Sequence, residues 1–573
     1  MQNPLIFYGI IKTKDINIMA ITPNSDVILL KSPLELNQSH QINFRNAQAQ
    51  YNYFYNLPKR VVGTDFTYQR KDGIIRVEGV ADEYYNYNYV MYRNDEYSSK
   101  WFYAFIDNVE YVNDDCTYIK ITTDVFQTWQ FDLNYKPTFI EREHVNNDTV
   151  GANTIPEGLE TGEYQIVDLR DIPMASGGDS SWYICFCVSA LPEGCERAVD
   201  GRVKGDNGRI GGVFNSLKFF AVNTFVAAQK IIEDYEQGSV LTDAIINIYM
   251  VPAFCVNTNV TSPTIDRNGH VMNPLNNYSN TEDLMLQQPV VLSGGYRPRN
   301  NKLYCSPYSY IYMSNNAGQD VQLNWEDFPL QSVGGNTMPT MTYYKYYVPS
   351  ASLSAKIIFS NYKNYFSDSS TPTQMVNYGI SFAKVPVCAW TTDYYTNWLT
   401  QNGVNVQTNI GMSIGNALVG TAVGALTGGV IGAIAGGISG TMSVAGSIGS
   451  SMAQMHQAQT IPPQAHGDYA TGDLVYALKR NSISCYFMSI RPEMANIIDK
   501  YFDKFGYKVN ALKVPNVTGR ANWNFVKTID CYIDADIPQT DLQEIKNMFN
   551  NGLTIWHNPN TFMDYSQSNP IVA

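Results

Sequence analysis

The sequence predicts a β-rich α+β fold of several domains, on three observations. The chain has 573 residues, 44% of them hydrophobic and only 16% charged, so it can bury a large core and should divide into more than one domain. Short runs rich in Tyr, Phe, Ile and Val are separated by turn signals, and several alternate with polar residues in the manner of half-buried strands. Helical spacing with start and stop signals is confined to a few segments in the middle and near the end.

Residues 1–150 hold the densest β pattern. Residues 74–80 and 118–122 alternate, with Lys71-Asp72-Gly73 and Asn113-Asp114-Asp115 as turns, and the stretch reads as a β-barrel or sandwich. The run Tyr84-Tyr85-Asn86-Tyr87-Asn88-Tyr89 places aromatic rings along one strand. The chain's 41 tyrosines suit packed sheets and subunit interfaces, where the ring supplies area and the hydroxyl a polar tip.

Residues 151–393 are mixed. A helix is expected from Thr224 to Gln237, with Ala228, Ile231, Ile232 and Tyr235 on one side and Gly238 as its stop. Strands are expected at 244–251 and 308–313, and the polar stretch 257–283 reads as loop. In residues 182–188 the alternation puts Cys185 and Cys187 on one face of a sheet.

Residues 394–467 are an insertion of a different kind. They contain no Asp, Glu, Lys or Arg, and Gly420, Gly424, Gly428, Gly432, Gly436 and Gly440 recur at every fourth position. Between them stand Leu418, Leu426, Ile434 and Ile438 with Ala and Val, so the core from Ala417 to Ile438 is long enough as a helix to cross about 30 Å of hydrocarbon. In water each helical Gly costs about 1 kcal/mol relative to Ala, which makes the segment a poor isolated helix. In lipid the backbone must satisfy its own hydrogen bonds, and small residues four apart let helices approach closely. The segment therefore reads as a conditional, self-associating membrane insert. A helical hairpin with Gly428 and Gly429 near the tip fits, as does a single span with an irregular return; a buried core helix is the competing reading, and a flexible linker would have no use for the aliphatic residues.

Residues 468–573 resume the soluble pattern. Strands are expected at 474–478 and 483–488, then a helix from Pro492, in the favoured first-turn position, to Gly506. A second helix opens with Thr540 and Gln543 arranged as a capping box.

The net charge of −13 argues against stable nucleic-acid binding through phosphate neutralisation, although an acidic conduit would let DNA pass without adhering. Nine cysteines without a Cys-x-x-Cys pair read as free buried thiols of a protein made in a reducing cytoplasm, not as a zinc site. The start, Met1-Gln2-Asn3-Pro4, lacks the basic and apolar regions of a secretory signal.

Few groups suggest chemistry. Glu141-Arg142-Glu143-His144 offers two carboxylates and an imidazole, but on a strand the glutamates share one face and His144 points to the other. No His-Glu-x-x-His, Gly-x-Ser-x-Gly or phosphate-binding loop is present, and no catalytic residue, cofactor or metal is expected. His456 and His466 lie just beyond the glycine run, where protonation below about pH 6.5 would alter its exposure, and the preferred reading is two solvated imidazoles. Arg297, Arg299 and Lys302 form a basic cluster that suits subunit salt bridges or a solvated turn better than a DNA groove.

Four stretches carry a resemblance: residues 124–129 (Asp-Val-Phe-Gln-Thr-Trp), 141–145 (Glu-Arg-Glu-His-Val), 297–304 (Arg-Pro-Arg-Asn-Asn-Lys-Leu-Tyr) and 548–557 (Met-Phe-Asn-Asn-Gly-Leu-Thr-Ile-Trp-His). Together they resemble the tail knob, or distal tail tube, proteins of small short-tailed phages that infect Gram-positive bacteria. The resemblance implies a homohexameric tube at the tail tip of the virion, built of β-barrel tube domains. It implies partners on the lower-collar or connector side, a tail-tip enzyme, transient passage of genomic double-stranded DNA, and hydrophobic loops, roughly residues 401–465, that plug the tube and then form a pore in the host cytoplasmic membrane. The competing class, a receptor-binding or cell-wall-degrading tail protein, would need a sugar groove or paired carboxylates and has no use for the insertion. A secreted pore-forming toxin would need an export signal.

Overall fold

The computed structural model describes residues 25–572 except 64–67, 70–72, 95–99, 176–181, 193–208, 211–212, 215–216, 238–241, 260–263, 266–270, 276–278, 281–283, 349–353, 360, 365–378, 383–389, 393–456, 458–463 and 467–481. Its α-helices include α1 Ala47–Tyr55, α2 Val125–Trp129, α3 Phe225–Gln237, α4 Pro492–Phe505 and α5 Gln539–Asn551. The chain forms two compact units, one of residues 1–160, 299–302 and 495–573, the other of residues 161–298 and 303–494. The first unit thus takes the C-terminal strands and α5 into the same body as the N-terminal β region, a joining across some 400 positions that local sequence patterns do not encode.

The first unit is built on a seven-stranded antiparallel sheet in the order Lys59–Gly63, Ser25–Leu30, Tyr89–Asn94, Trp101–Asn113, Cys116–Thr123, Ile74–Glu78, Tyr68–Gln69. Both faces of its central strands are buried. Val27, Leu29, Val90, Tyr92, Phe102 and Ala104 enter one core with α2 and with Leu542, Ile545 and Phe549 of α5. Ile28, Leu30, Tyr89, Met91, Tyr103 and Phe105 enter another beneath Phe54 of α1. That is why these strands read as continuous apolar runs, whereas Ile74–Glu78, with outward Arg76 and Glu78, alternates cleanly. Phe54 stacks on Tyr89 at 5.4 Å and meets Tyr103 at 4.8 Å between ring centroids.

A second sheet of this unit orders as His40–Ile42, Leu553–Trp556, Trp523–Ile529, Thr138–Glu143, Tyr507–Lys513, the first pair parallel and the rest antiparallel.

The other unit carries a four-stranded sheet (Tyr164–Pro173, Ser482–Ile490, Ser309–Ser314, Asp320–Leu323), a five-stranded sheet around Trp182–Val188 and a six-stranded sheet around Asn336–Val348. One core gathers Ile172, Ile311, Phe487, Tyr347 and Ile357 from these sheets. Cys185 and Cys187 both face it, while Ile184, Phe186 and Val188 face the core under α3. All seven described cysteines are buried and free.

Several expectations on local structure are met: the strands Ile74–Glu78, Cys116–Thr123, Ile245–Pro252, Ser309–Ser314 and Ser482–Ile490, helix α3 with Ala228, Ile231 and Tyr235 buried, and helix α4 ending at Gly506 with φ +62°. Three need correction. Residues 84–88 are a turn, not a strand: Tyr84 is buried with its hydroxyl donating to the Glu78 carbonyl, Tyr85 is 59% exposed, and Asn88 locks the turn through two hydrogen bonds to the Ser32 backbone, so pairing begins only at Tyr89. The stretch 257–283 contains the short strands Thr264–Ile265, Val271–Pro274 and Ser279–Asn280, whose polar composition hid them. Helix α5 does not use a capping box, because Pro538 occupies the cap position and no side chain caps it. Thr540 donates instead to Asp541 at 3.2 Å and Gln543 to Asn547 at 3.0 Å. The expected strand 474–478 and the Gly238 stop lie outside the described residues.

Candidate functional site

The residues singled out for membrane activity, Leu418, Gly420, Gly424, Leu426, Gly428, Gly432, Ile434, Gly436, Ile438 and Gly440, lie outside the described residues. Among the described residues no helix is long and apolar enough to cross a membrane. The base of the insertion is described. Trp390–Thr392 pairs antiparallel with Gln464–His466, in the register Trp390↔His466, Thr391↔Ala465, Thr392↔Gln464. Strands paired in this way lie about 5 Å apart, so the described residues on either side of 393–463 stand next to each other.

The four stretches that carry the resemblance converge differently: each contributes buried polar anchors to the first unit. Asp124, wholly buried, caps α2 by accepting from Gln127 N at 3.0 Å. It also accepts from Tyr89 Oη at 3.0 Å and Gln41 Nε2 at 3.3 Å. Burial raises its carboxyl to about 6, with these hydrogen bonds opposing the rise.

The strand Thr138–Glu143 carries a bulge between Ile140 and Arg142, so the simple alternation expected for residues 141–144 is broken. Glu141 is half-buried and pairs with Lys527 at 2.9 Å, while Arg142, Glu143 and His144 are all buried. Glu143 accepts from Asn516 N at 3.0 Å and meets the Lys513 ammonium. His144 accepts from Phe525 N at Nδ1 (2.7 Å), which fixes the tautomer with Nε2–H directed to the Asp503 carbonyl (3.0 Å). Burial, with the positive Arg520 and Arg142 nearby, lowers its pKa to about 3. Each of these four side chains is thus engaged in a contact within the chain.

Residues 299–302 are stapled by four carboxylates. Asp499, on the buried face of α4, accepts from the backbone N–H of Arg299 (2.8 Å) and Asn300 (3.0 Å) and from the Asn300 side chain (2.8 Å). Asp503 takes Arg299 Nη2 at 2.7 Å and Asn300 Nδ2 at 2.7 Å. Asp148 accepts from Asn301 N at 3.2 Å and Tyr507 Oη at 2.6 Å, and burial raises its carboxyl above the ordinary range. Glu157 receives both Arg142 and Lys302. Arg299 and Lys302 are therefore neutralised within the chain; Arg297 is exposed. At the C-terminal stretch, Asn550 accepts from Thr528 Oγ1 (2.8 Å) and Cys531 N (3.1 Å), and Trp556 packs on Trp523 at 5.1 Å.

One sign of this network is visible in the sequence. Asp499 stands among Ala495, Ile498 and Phe502 on the apolar face of α4, where an unpaired carboxylate would be costly. Asp148 and Glu157 lie in irregular chain with no such periodicity. Of the two histidines beyond the glycine run, His466 belongs to the ladder at the base of the insertion and His456 lies outside the described residues. Among the described residues no three His, Cys, Asp or Glu side chains converge as a metal site.

Comparison with known proteins sets this architecture in a family. The family model "Bacillus phage phi29, Tail knob protein gp9, C-terminal domain" matches residues 268–570, and "Caudoviral major tail protein N-terminus" matches residues 23–134. The tail knob protein gp9 of Bacillus phage phi29 is 25% identical over 96% of this chain and 100% of its own length. That of Bacillus phage B103 is 26% identical over 92% and 95%. The solved structure of the bacteriophage C1 tail knob protein, gp12, shares the fold, with a TM-score of 0.63 at 13% identity over 96% of this chain and 100% of that one. The first family model alone spans more than half of the 573 residues, and the chain belongs to the phage tail knob protein family represented by gp9 of phi29.

Proposed function

We propose that this chain is a structural, non-enzymatic component of the virion tail tip, six copies of which form a tube for ejection of double-stranded DNA. Roughly residues 401–465 plug the tube and are then released to form a pore in the host cytoplasmic membrane. The protein is made in the host cytoplasm and sits between the connector side of the tail and a tail-tip enzyme.

One observation supports the membrane step above all. A segment without a single Asp, Glu, Lys or Arg, carrying six glycines at every fourth position, is held at its base by the ladder Trp390–Thr392 with Gln464–His466. A loop closed at its base can extend or retract without disturbing the sheets that carry it, and close helix packing through small residues suits association in lipid. The acidic balance of −13 supports a lumen along which DNA phosphates do not adhere.

Vesicle flotation tests the reading. The full chain should rise with liposomes, and a chain with residues 401–465 replaced by a short Gly/Ser linker should stay at the bottom while assembling as the parent does. Equal behaviour of the two chains would overturn it.

A further inference from the structure

Helix α4 carries a face that its own unit leaves open. Ile497, Lys500, Tyr501, Lys504 and Phe505, with Tyr565, line a cleft of about 470 Å³. Ile497 is 59% exposed, and Lys500 and Lys504 are exposed one helical turn apart. Like charges at that spacing repel, and among the described residues neither lysine forms an ion pair. Lys504 Nζ lies 4.9 Å from the centre of the Tyr565 ring. Asp503, the carboxylate that also borders the cleft, is occupied by Arg299 and Asn300. The cleft therefore offers two unneutralised ammonium groups beside three aromatic rings.

The complement is on the same chain. The hairpin of Trp101–Asn113 and Cys116–Thr123 runs beyond the core, and its tip exposes Glu110, Asp114 and Asp115 beside Tyr111 (56% exposed) and Val112 (41%). Its shape is fixed before any contact: Tyr111 Oη donates to Asp114 Oδ1 at 2.6 Å, and Asp115 N donates to Asn113 Oδ1 at 3.0 Å.

We propose that the acidic, aromatic hairpin tip of one copy docks in the lysine and aromatic cleft of α4 in a second copy of this chain. Three carboxylates on the tip meet two ammonium groups, and Tyr111 adds a ring to an aromatic pocket, the residue type that dominates interface energetics. Two different patches that complement each other make a head-to-tail contact, which closes into a ring when the rotation per subunit allows. The inference rests on the reading of this chain as a self-assembling tube subunit.

Charge exchange in the full-length protein tests it, with assembly followed by sedimentation over a range of concentrations. The cleft variant is Lys500→Glu with Lys504→Glu; the tip variant is Glu110→Lys with Asp114→Lys and Asp115→Lys. Each alone should need about tenfold more protein, or greater, to assemble, because like charges then face each other. An equimolar mixture should recover to within about threefold of the parent, since alternating copies restore opposite charges at every contact in a ring of even number. If the cleft variant loses helicity by circular dichroism, Lys500→Ala with Lys504→Ala replaces it, with an intermediate loss expected. Variants that assemble like the parent, or folded variants that fail to rescue each other, overturn the docking while leaving the tube reading intact. A parent that stays monomeric at every concentration overturns both.

Discussion

Lys302 and Glu157 form an ion pair in which the side chains are only 2% and 0% exposed, and Arg142 shares the same carboxylate. Lys508 N also donates to Glu157 Oε1 at 2.9 Å. Two cations and one anion are thus withdrawn from water together, and the carboxylate that joins them stands in irregular chain while its partners come from a β-strand and a 3-10 turn. Removing one member of such a group leaves buried charge without compensation, at a cost of about 3–5 kcal/mol. Glu157→Ala is expected to destabilise the first unit by that amount in urea denaturation, and Lys302→Met by less than Glu157→Ala, because Arg142 still balances Glu157.

Asp124 titrates in the opposite sense to a paired surface carboxylate. Burial raises it to about 6 in the fold against an ordinary value near 4, so its stabilising effect is complete at acid pH and is lost as pH rises through 6. Asp124→Asn keeps an oxygen for the α2 cap without the buried charge. The variant should gain stability relative to the parent by about 2 kcal/mol between pH 4.5 and pH 7.5. Asp124→Ala, which loses the cap and strands Tyr89 and Gln41, should be destabilised at both ends of that range, measured by thermal unfolding.

The buried imidazoles act the other way. His144 is lowered to about 3 and His557 to about 4, both chiefly by burial, so the folded chain keeps them neutral where the unfolded chain binds protons. Their contribution is complete above pH 6.5 and is lost as pH falls toward the folded values. At pH 5 each costs about 2 kcal/mol while Asp124 returns about 1, so the histidines win and the unfolding temperature should fall on acidification. His557→Gln, which can still donate to the Asn524 side chain, should flatten that fall; an unchanged slope would show that another group sets it.

Gly506 ends α4 at φ +62°, and a Cβ there would lie 2.1 Å from the Glu143 carbonyl oxygen. Gly158 has a similar φ of +70° with nothing within 4 Å. Conformational strain alone predicts a loss of about 1 kcal/mol for Gly158→Ala. Gly506→Ala must also push the helix end off the neighbouring strand, and its loss in chemical denaturation should exceed that of Gly158→Ala by a further 1–3 kcal/mol or about that.

What the sequence makes legible is local. The alternation of Ile74–Glu78, the apolar stripe of α3 and the stop at Gly506 each follow from spacing and backbone preference within a few residues. The facing of Cys185 and Cys187 into one core and of Phe186 into another follows from the same two-residue period. The turn at Tyr84 does not, because it depends on Ser32, more than fifty positions away, engaging Asn88. The basic cluster at 297–302 reads by composition as subunit salt bridges or a solvated turn, and its Arg299 and Lys302 are instead paired within the chain to Asp503 and Glu157, which no local pattern unites. The charge-free insertion is the reverse case: its chemistry is plain in the sequence, and the structure adds that its two ends are paired strands.

The most direct measurement is dye release from liposomes by the purified chain, compared with the chain whose residues 401–465 are replaced by a Gly/Ser linker, at neutral and mildly acid pH. A charge-matched soluble protein serves as the control for acid aggregation. Leakage is expected from the intact chain alone, with equal assembly of both. Leakage by both chains, or by neither at any pH, would contradict the assignment of membrane activity to the glycine-rich insertion.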